Sequence, residues 1–285
     1  MNTVVTEYEV LIRLGLFFGV FLLVAVCEVM FPRRALTASK LQRWVSNLGL
    51  VFLNSLVLRL IFPVLAVGMA VLSKDRGWGL LNNLEWHPGI EIVIAVVVLD
   101  FAIYLQHVVF HAVPALWRLH RMHHTDVDID VSTGTRFHPL EIVLSMGIKL
   151  AVVAILGPSA IAVLIFEVLL NATAMFNHGN ILIPHNMDSH LRWMIVTPDM
   201  HRVHHSILAE ETHSNFGFNL PWWDRLLGTY RPQPKEGHLQ MTIGIELFRE
   251  AKHLLLPWLL IQPFLKNGAS MNSTDRENSR KNRKY

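Results

Sequence analysis

Five long apolar stretches constrain this chain more than any other feature. They run from about Val10 to Phe31, Trp44 to Leu72, Ile90 to Val113, Leu140 to Leu156 and Ala160 to Met175. A helix needs about 20 apolar residues to cross the hydrocarbon core of a bilayer. Stretches of this length predict an all-α, polytopic membrane protein with about four to five membrane helices. The last two flank Gly157-Pro158-Ser159, a turn signal, and read as a tight hairpin whose arms are marginal for a full crossing. Composition agrees: 16% of residues are charged, against roughly 25% in soluble domains. The net charge of +3 suits contact with anionic lipid headgroups and is too small to argue for nucleic acid. The single cysteine, Cys27, sits in an apolar run, so the sequence supplies no intrachain disulfide and no thiolate metal site. The first stretch is preceded by Glu7 and Glu9 and lacks a small-residue cleavage site, so it reads as a retained span.

Positive charge marks the cytoplasmic side of a membrane protein. The loop "PRRALTASKLQR" carries Arg33, Arg34, Lys40 and Arg43. Counting crossings from there puts residues 114–139, and everything after residue 176, on the same side. Lys74 and Arg76 in the next loop blur the contrast. The expected location is the inner membrane of a bacterium or the endoplasmic reticulum of a eukaryote. Residues 177–240, rich in His, Trp and Asn, read as a cytosolic helical cap. The chain then divides into membrane helices over 1–93, a histidine-bearing unit over 94–240, an interfacial amphipathic helix over 241–267 and a disordered basic tail over 268–285.

The cap and the loop before the hairpin carry an echo. "LHRMHHT" holds His120, His123 and His124, and "TPDMHRVHHS" holds His201, His204 and His205. Residues at i, i+3 and i+4 share a helix face. Thr197-Pro198 looks like an N-cap with proline at the first helical position. "DFAIYLQHVVFH" adds His107 and His111 at i and i+4, on one stripe with Asp100 and Tyr104. A lone histidine on an apolar face is more often a satisfied core residue than a ligand. Eight at ligand spacing on one side of a membrane read as a metal site, and exceed the four ligands of one structural zinc. They would supply two metals with about four nitrogens each; imidazole suits iron, zinc, copper and nickel. No H-E-x-x-H is present, so a zinc metalloprotease has no support.

"HVVFH", "HRMHH" and "HRVHH" resemble the three histidine boxes of the fatty acid hydroxylase and sterol desaturase superfamily. The resemblance covers roughly residues 95–232, including "FNHGNILIP" and "SNFGFNLPWWDRLLGTY", and "TPDMHRVHHS" is similar to the alkylglycerol monooxygenase-like branch. It implies a di-iron centre that activates O2 to attack a lipid C–H bond. It also implies a further histidine between the second and third boxes, for which His178 is the candidate. Zinc is an expected substitute for iron in purified protein.

Other residues carry weaker signals. Asp100, an acid within a span, reads as accepting a hydrogen bond from a ligand imidazole, against a helix-packing role. Tyr104 fits site lining or packing equally. His138 and Glu141 are extra ligands, outer partners, or interfacial anchors. His185, His190 and His213 read as surface residues. Asp126, Asp128 and Asp130 start like a calcium loop, but Val131 and Phe137 stand where glycine and glutamate are required, so they read as a solvated loop. Trp222, Trp223 and Asp224 read as bracing the cap.

The leading expectation is a membrane oxygenase that hydroxylates a lipid-like substrate from the bilayer, using O2. Electrons would come from a separate ferredoxin- or cytochrome b5-type donor, since no such domain is visible in the chain. A desaturase with the same centre is the alternative within that class. A haem electron carrier and a non-catalytic zinc-binding membrane protein are the alternatives outside it.

Overall fold

The computed structural model describes residues 2–85 and 87–265, with side chains from residue 8 onward. The tail expected over 268–285 lies outside the described residues. Those described form helices and no strand, apart from two isolated bridges. Seven helices build the body: α1 (Asn2–Met30), α2 (Lys40–Ile61), α3 (Ala66–Arg76), α4 (Pro88–Ala112), α5 (Pro114–His124), α6 (Pro139–Leu156) and α7 (Ala160–Asn177). Among the described residues, five segments are long and apolar enough to cross a membrane.

Local chemistry sets the ends. Ser39 and Ser159 accept N–H bonds from Gln42 and Ala162, and prolines open α4, α5 and α6. The second apolar stretch is two helices rather than one. Pro63 has no N–H to continue the ladder and disfavours helical geometry in Phe62 before it, so α2 stops at Ile61 and α3 restarts at Ala66.

The hairpin arms reach the far end of the bundle. Gly157 closes α6 in the left-handed region, φ +66°, and packs against Gly79, where a Cβ would lie 2.2 Å from the Gly157 nitrogen. Nearby, Ser159 donates from both N–H and hydroxyl to Glu91 near the start of α4, each at 2.8 Å. Each arm has 18 residues, about 27 Å at 1.5 Å per residue, close to the roughly 30 Å hydrocarbon core. Leu99, Val153, Val163 and Phe166 centre the apolar core between α3, α4, α6 and α7.

Two expectations are corrected at the opposite, histidine-bearing end. Residues 241–265 form no single amphipathic helix. Pro257 and Pro263 split the segment into a turn at Ala251–Leu254, a helix at Leu256–Ile261 and a turn at Gln262–Phe264. It straps α2 to α5: Leu259 is buried against Leu50 and Met122, and Gln262 accepts the Thr125 hydroxyl at 2.9 Å. The acidic loop is not solvated either. Asp126, Asp128 and Asp130 are buried, and Arg43 donates to Asp126 at 2.7 and 2.9 Å and to Asp130 at 2.5 Å. Burial alone would raise the Asp126 carboxyl, but the Arg43 and Arg136 guanidinium groups hold it below its ordinary value. Asp128 takes the Thr37 and Ala38 N–H groups, fixing the start of α2.

Candidate metal centre

Four elements deliver nine histidines to one place. α4 carries His107 and His111 one turn apart; α5, after the Val113-Pro114 bend, carries His120, His123 and His124. His178 follows the last residue of α7. Thr197 caps a short helix, α8 (Pro198–His204), through the Met200 N–H, and this helix brings His201, His204 and His205 at its end. All nine are buried.

They fall into two groups. His107, His111, His120, His124 and His204 form one; His123, His178, His201 and His205 form the other, with ligand nitrogens in each lying within 4.8 Å of one another. The adjacent pairs explain the doubled boxes. His123 and His124 point apart into different groups, as do His204 and His205, so each H-H doublet serves both.

The outer partners of the rings fix which nitrogen faces inward. Nδ1 of His107 donates to the Phe216 carbonyl (2.7 Å), of His123 to Arg136 (3.1 Å), of His178 to Ala174 (2.6 Å) and of His204 to Ser214 (2.7 Å). His120 Nδ1 donates to Glu141 Oε1 at 2.7 Å. An imidazole that donates from Nδ1 presents an Nε2 lone pair. The Nε2 atoms converge: His107 and His120 Nε2 are 3.1 Å apart, and His178 Nε2 lies 3.1–3.2 Å from those of His123, His201 and His205. Protonation does not relieve the crowding. Burial, then neighbouring histidines, push His123, His124, His201, His204 and His205 well below the ordinary imidazole value, and burial lowers His178 to about 4. His111 and His204 Nε2 and both His124 nitrogens are buried with no protein partner. Acceptors facing acceptors in a dry site call for cations, and an all-imidazole set suits iron, zinc, copper or nickel.

The remaining candidates separate. Glu141 belongs to the site through His120. His138 does not: its Nδ1 caps Leu140, its Nε2 donates to the Leu260 carbonyl at 3.1 Å, and it joins neither group. Asp100 touches no imidazole, correcting the expectation. It lies two turns below His107 and accepts the Asn219 and Leu220 N–H groups and the Trp223 indole N–H, at 3.3, 3.2 and 2.8 Å. It therefore anchors the cap loop whose Phe216 carbonyl orients His107. The Tyr104 hydroxyl, 2.9 Å from Thr229 Oγ1, secures the same loop. Asp224 completes it, accepting from Phe216 and Gly217. His185 and His190 are exposed; His213 is exposed too, yet its Nδ1 is 3.3 Å from His111 Nδ1. Asn215, at φ +52°, bonds to Met200 and Arg231 beside the Ser214 carbonyl.

A cavity of about 290 Å³ opens beside the five-histidine group, lined by His107, His120 and Glu141 and by Phe17, Leu58, Ile103, Met146 and Leu170. Asn54 Oδ1, Gln106 Oε1 and Glu141 Oε2, in residues of its wall, have no hydrogen-bond partner.

Comparison with known proteins agrees with this geometry. Residues 92–229 match the fatty acid hydroxylase family model. An ornithine lipid hydroxylase of Rhizobium tropici is 28% identical over 184 residues, 65% of this chain and 53% of that protein. Alkylglycerol monooxygenases of Xenopus tropicalis and Homo sapiens are 26% and 27% identical over 223 and 187 residues, covering 74% and 62% of this chain and 48% and 40% of theirs. The chain thus spans about half the length of these relatives. No solved structure matches it.

Proposed function

We propose that this chain is an integral-membrane di-iron oxygenase that hydroxylates a C–H bond of a lipid-like substrate. The observation that carries the reading is the double histidine cluster, its free Nε2 lone pairs gathered at one end of an apolar cavity between membrane-length helices. Lipid hydroxylase and monooxygenase relatives support an oxidoreductase. Iron held by the two groups would supply O2 activation and oxidation of an unactivated C–H bond, which no side chain can do.

The protein's own residues do the rest. The Phe216, Arg136, Ala174 and Ser214 carbonyls and Glu141 hold five rings in the tautomer that binds metal. Phe17, Ile103, Met146 and Leu170 exclude water and align an apolar chain toward His107 and His120. Overall, one atom of O2 enters the product hydroxyl; the other leaves as water, with two electrons and two protons drawn through a separate redox protein. The basic loop between α1 and α2 supports a cytosolic histidine end.

The test is turnover under labelled O2 with a reductant, on membranes from cells with and without the gene, followed by lipid mass spectrometry. A hydroxylated lipid carrying one labelled oxygen is expected. A new double bond without label, or no gene-dependent product, refutes hydroxylation.

A further inference from the structure

Away from the histidines the cavity wall carries charged residues that the oxygenase reading does not use. Arg13 of α1, Lys149 of α6 and Glu167 of α7 all line it. Glu167 spends both oxygens, on Arg13 at 2.5 Å and Lys149 at 2.8 Å, and its side chain is 2% exposed. Charge at this depth in a membrane protein is costly and is retained where it serves a site. At this end two cations stand beside one lining acid: Glu141, the other acid of the wall, sits at the histidine end bonded to His120, and Glu9, which also pairs with Arg13, is not a lining residue. They also keep spare donors. Arg13 engages only Nη1, and Lys149 spends one of three ammonium protons, among the described residues. Between this triad and the histidines the wall is mostly apolar: Phe17, Leu58, Ile103, Met146 and Leu170.

We propose that Arg13 and Lys149 form an anionic head-group site at the far end of the substrate cavity. The ligand class is a single-chain amphiphile with a carboxylate or phosphate head, its chain running toward His107 and His120. This inference rests on reading that cavity as the substrate's path. Two cationic groups offering spare N–H donors match the oxygens of either anion, and charge-assisted bonds are strongest in a dry site. The geometry also sets a length. Lys149 lies eight residues beyond Glu141 on one helix, about 12 Å along its axis. A backbone advances about 1.2 Å per bond when extended, so the carbon presented to the histidine end lies roughly ten bonds from the head.

The test compares hexadecanoate, hexadecyl phosphate and hexadecanol binding to iron-loaded full-length protein in phosphatidylcholine nanodiscs, with both acids ionised. At least one anion is expected to bind about 10-fold or more tighter than the alcohol. Preference for the phosphate assigns a phosphorylated lipid head, and preference for the carboxylate a free fatty acid. Equal affinity for all three overturns the proposal and leaves the triad as a pin between α1, α6 and α7. Lys149→Met should bring the preference below about 3-fold while iron content and hexadecanol affinity stay unchanged; retention of the full preference overturns the proposal. Lys149→Arg should keep it, and the wild-type comparison decides even if Lys149→Met does not fold. Binding is read without turnover, so failure here leaves the oxygenase reading standing, and failure of oxygenation leaves the binding result readable.

Discussion

Glu141 is the most informative single perturbation. Its Oε1 takes the His120 Nδ1–H at 2.7 Å, both side chains are buried, and His120 belongs to the five-histidine group. Glu141→Gln keeps an acceptor but removes the charge. A hydrogen bond to a charged group contributes about 1.5–3 kcal/mol net and a neutral one about 0.5–1.5, so the loss is about 1–1.5 kcal/mol, close to 10-fold in metal affinity. Glu141→Leu also strands a buried N–H, and the loss should reach about 10- to 100-fold. The assay is iron(II) titration against a competing chelator. It is run in a His205→Ala background to isolate the five-histidine group, and in a His204→Ala background to isolate the other. Both Glu141 variants should weaken the first and spare the second. Unchanged affinity in the first background, or loss confined to the second, would refute the reasoning.

Asp100→Asn should cost about 1–3 kcal/mol of stability, because its amide faces N–H donors that the carboxylate now satisfies. Iron content should stay at the wild-type level; loss of iron with unchanged melting would make the acid a direct actor at the centre. Burial pushes His238 down to about 4 from an ordinary 6.5. In the unfolded chain it takes a proton first, so it contributes nothing above about pH 6.5 and destabilises progressively as pH falls toward 4, by at most about 3 kcal/mol. In metal-loaded protein His238→Gln should therefore lose less stability over that range, measured as melting temperature against pH; parallel curves would contradict this.

Sequence spacing made the histidines legible because i, i+3 and i+4 residues share a face whatever the helix packs against. The division into five and four was not legible, since His123 and His124 diverge only where α5 crosses the other elements. His178 has no spacing signature of its own and came from family resemblance alone. Four of the five orienting acceptors are backbone carbonyls, which any residue supplies. Asp126 and Asp130 looked solvated because their partner, Arg43, lies more than 80 residues away. Arg13, Lys149 and Glu167 were visible as charges interrupting apolar runs, a signal that could have been followed even without knowing which helices meet. Pro63, Pro257 and Pro263 likewise marked breaks that long apolar runs masked.

One chain should hold two metal ions. Protein purified anaerobically with iron supplied, then analysed for metal by mass spectrometry, tests that directly. Two ions per wild-type chain are expected, with one remaining in His204→Ala and one in His205→Ala, because these adjacent residues belong to different groups. One ion or none in the wild type, or two retained in both variants, would contradict the account.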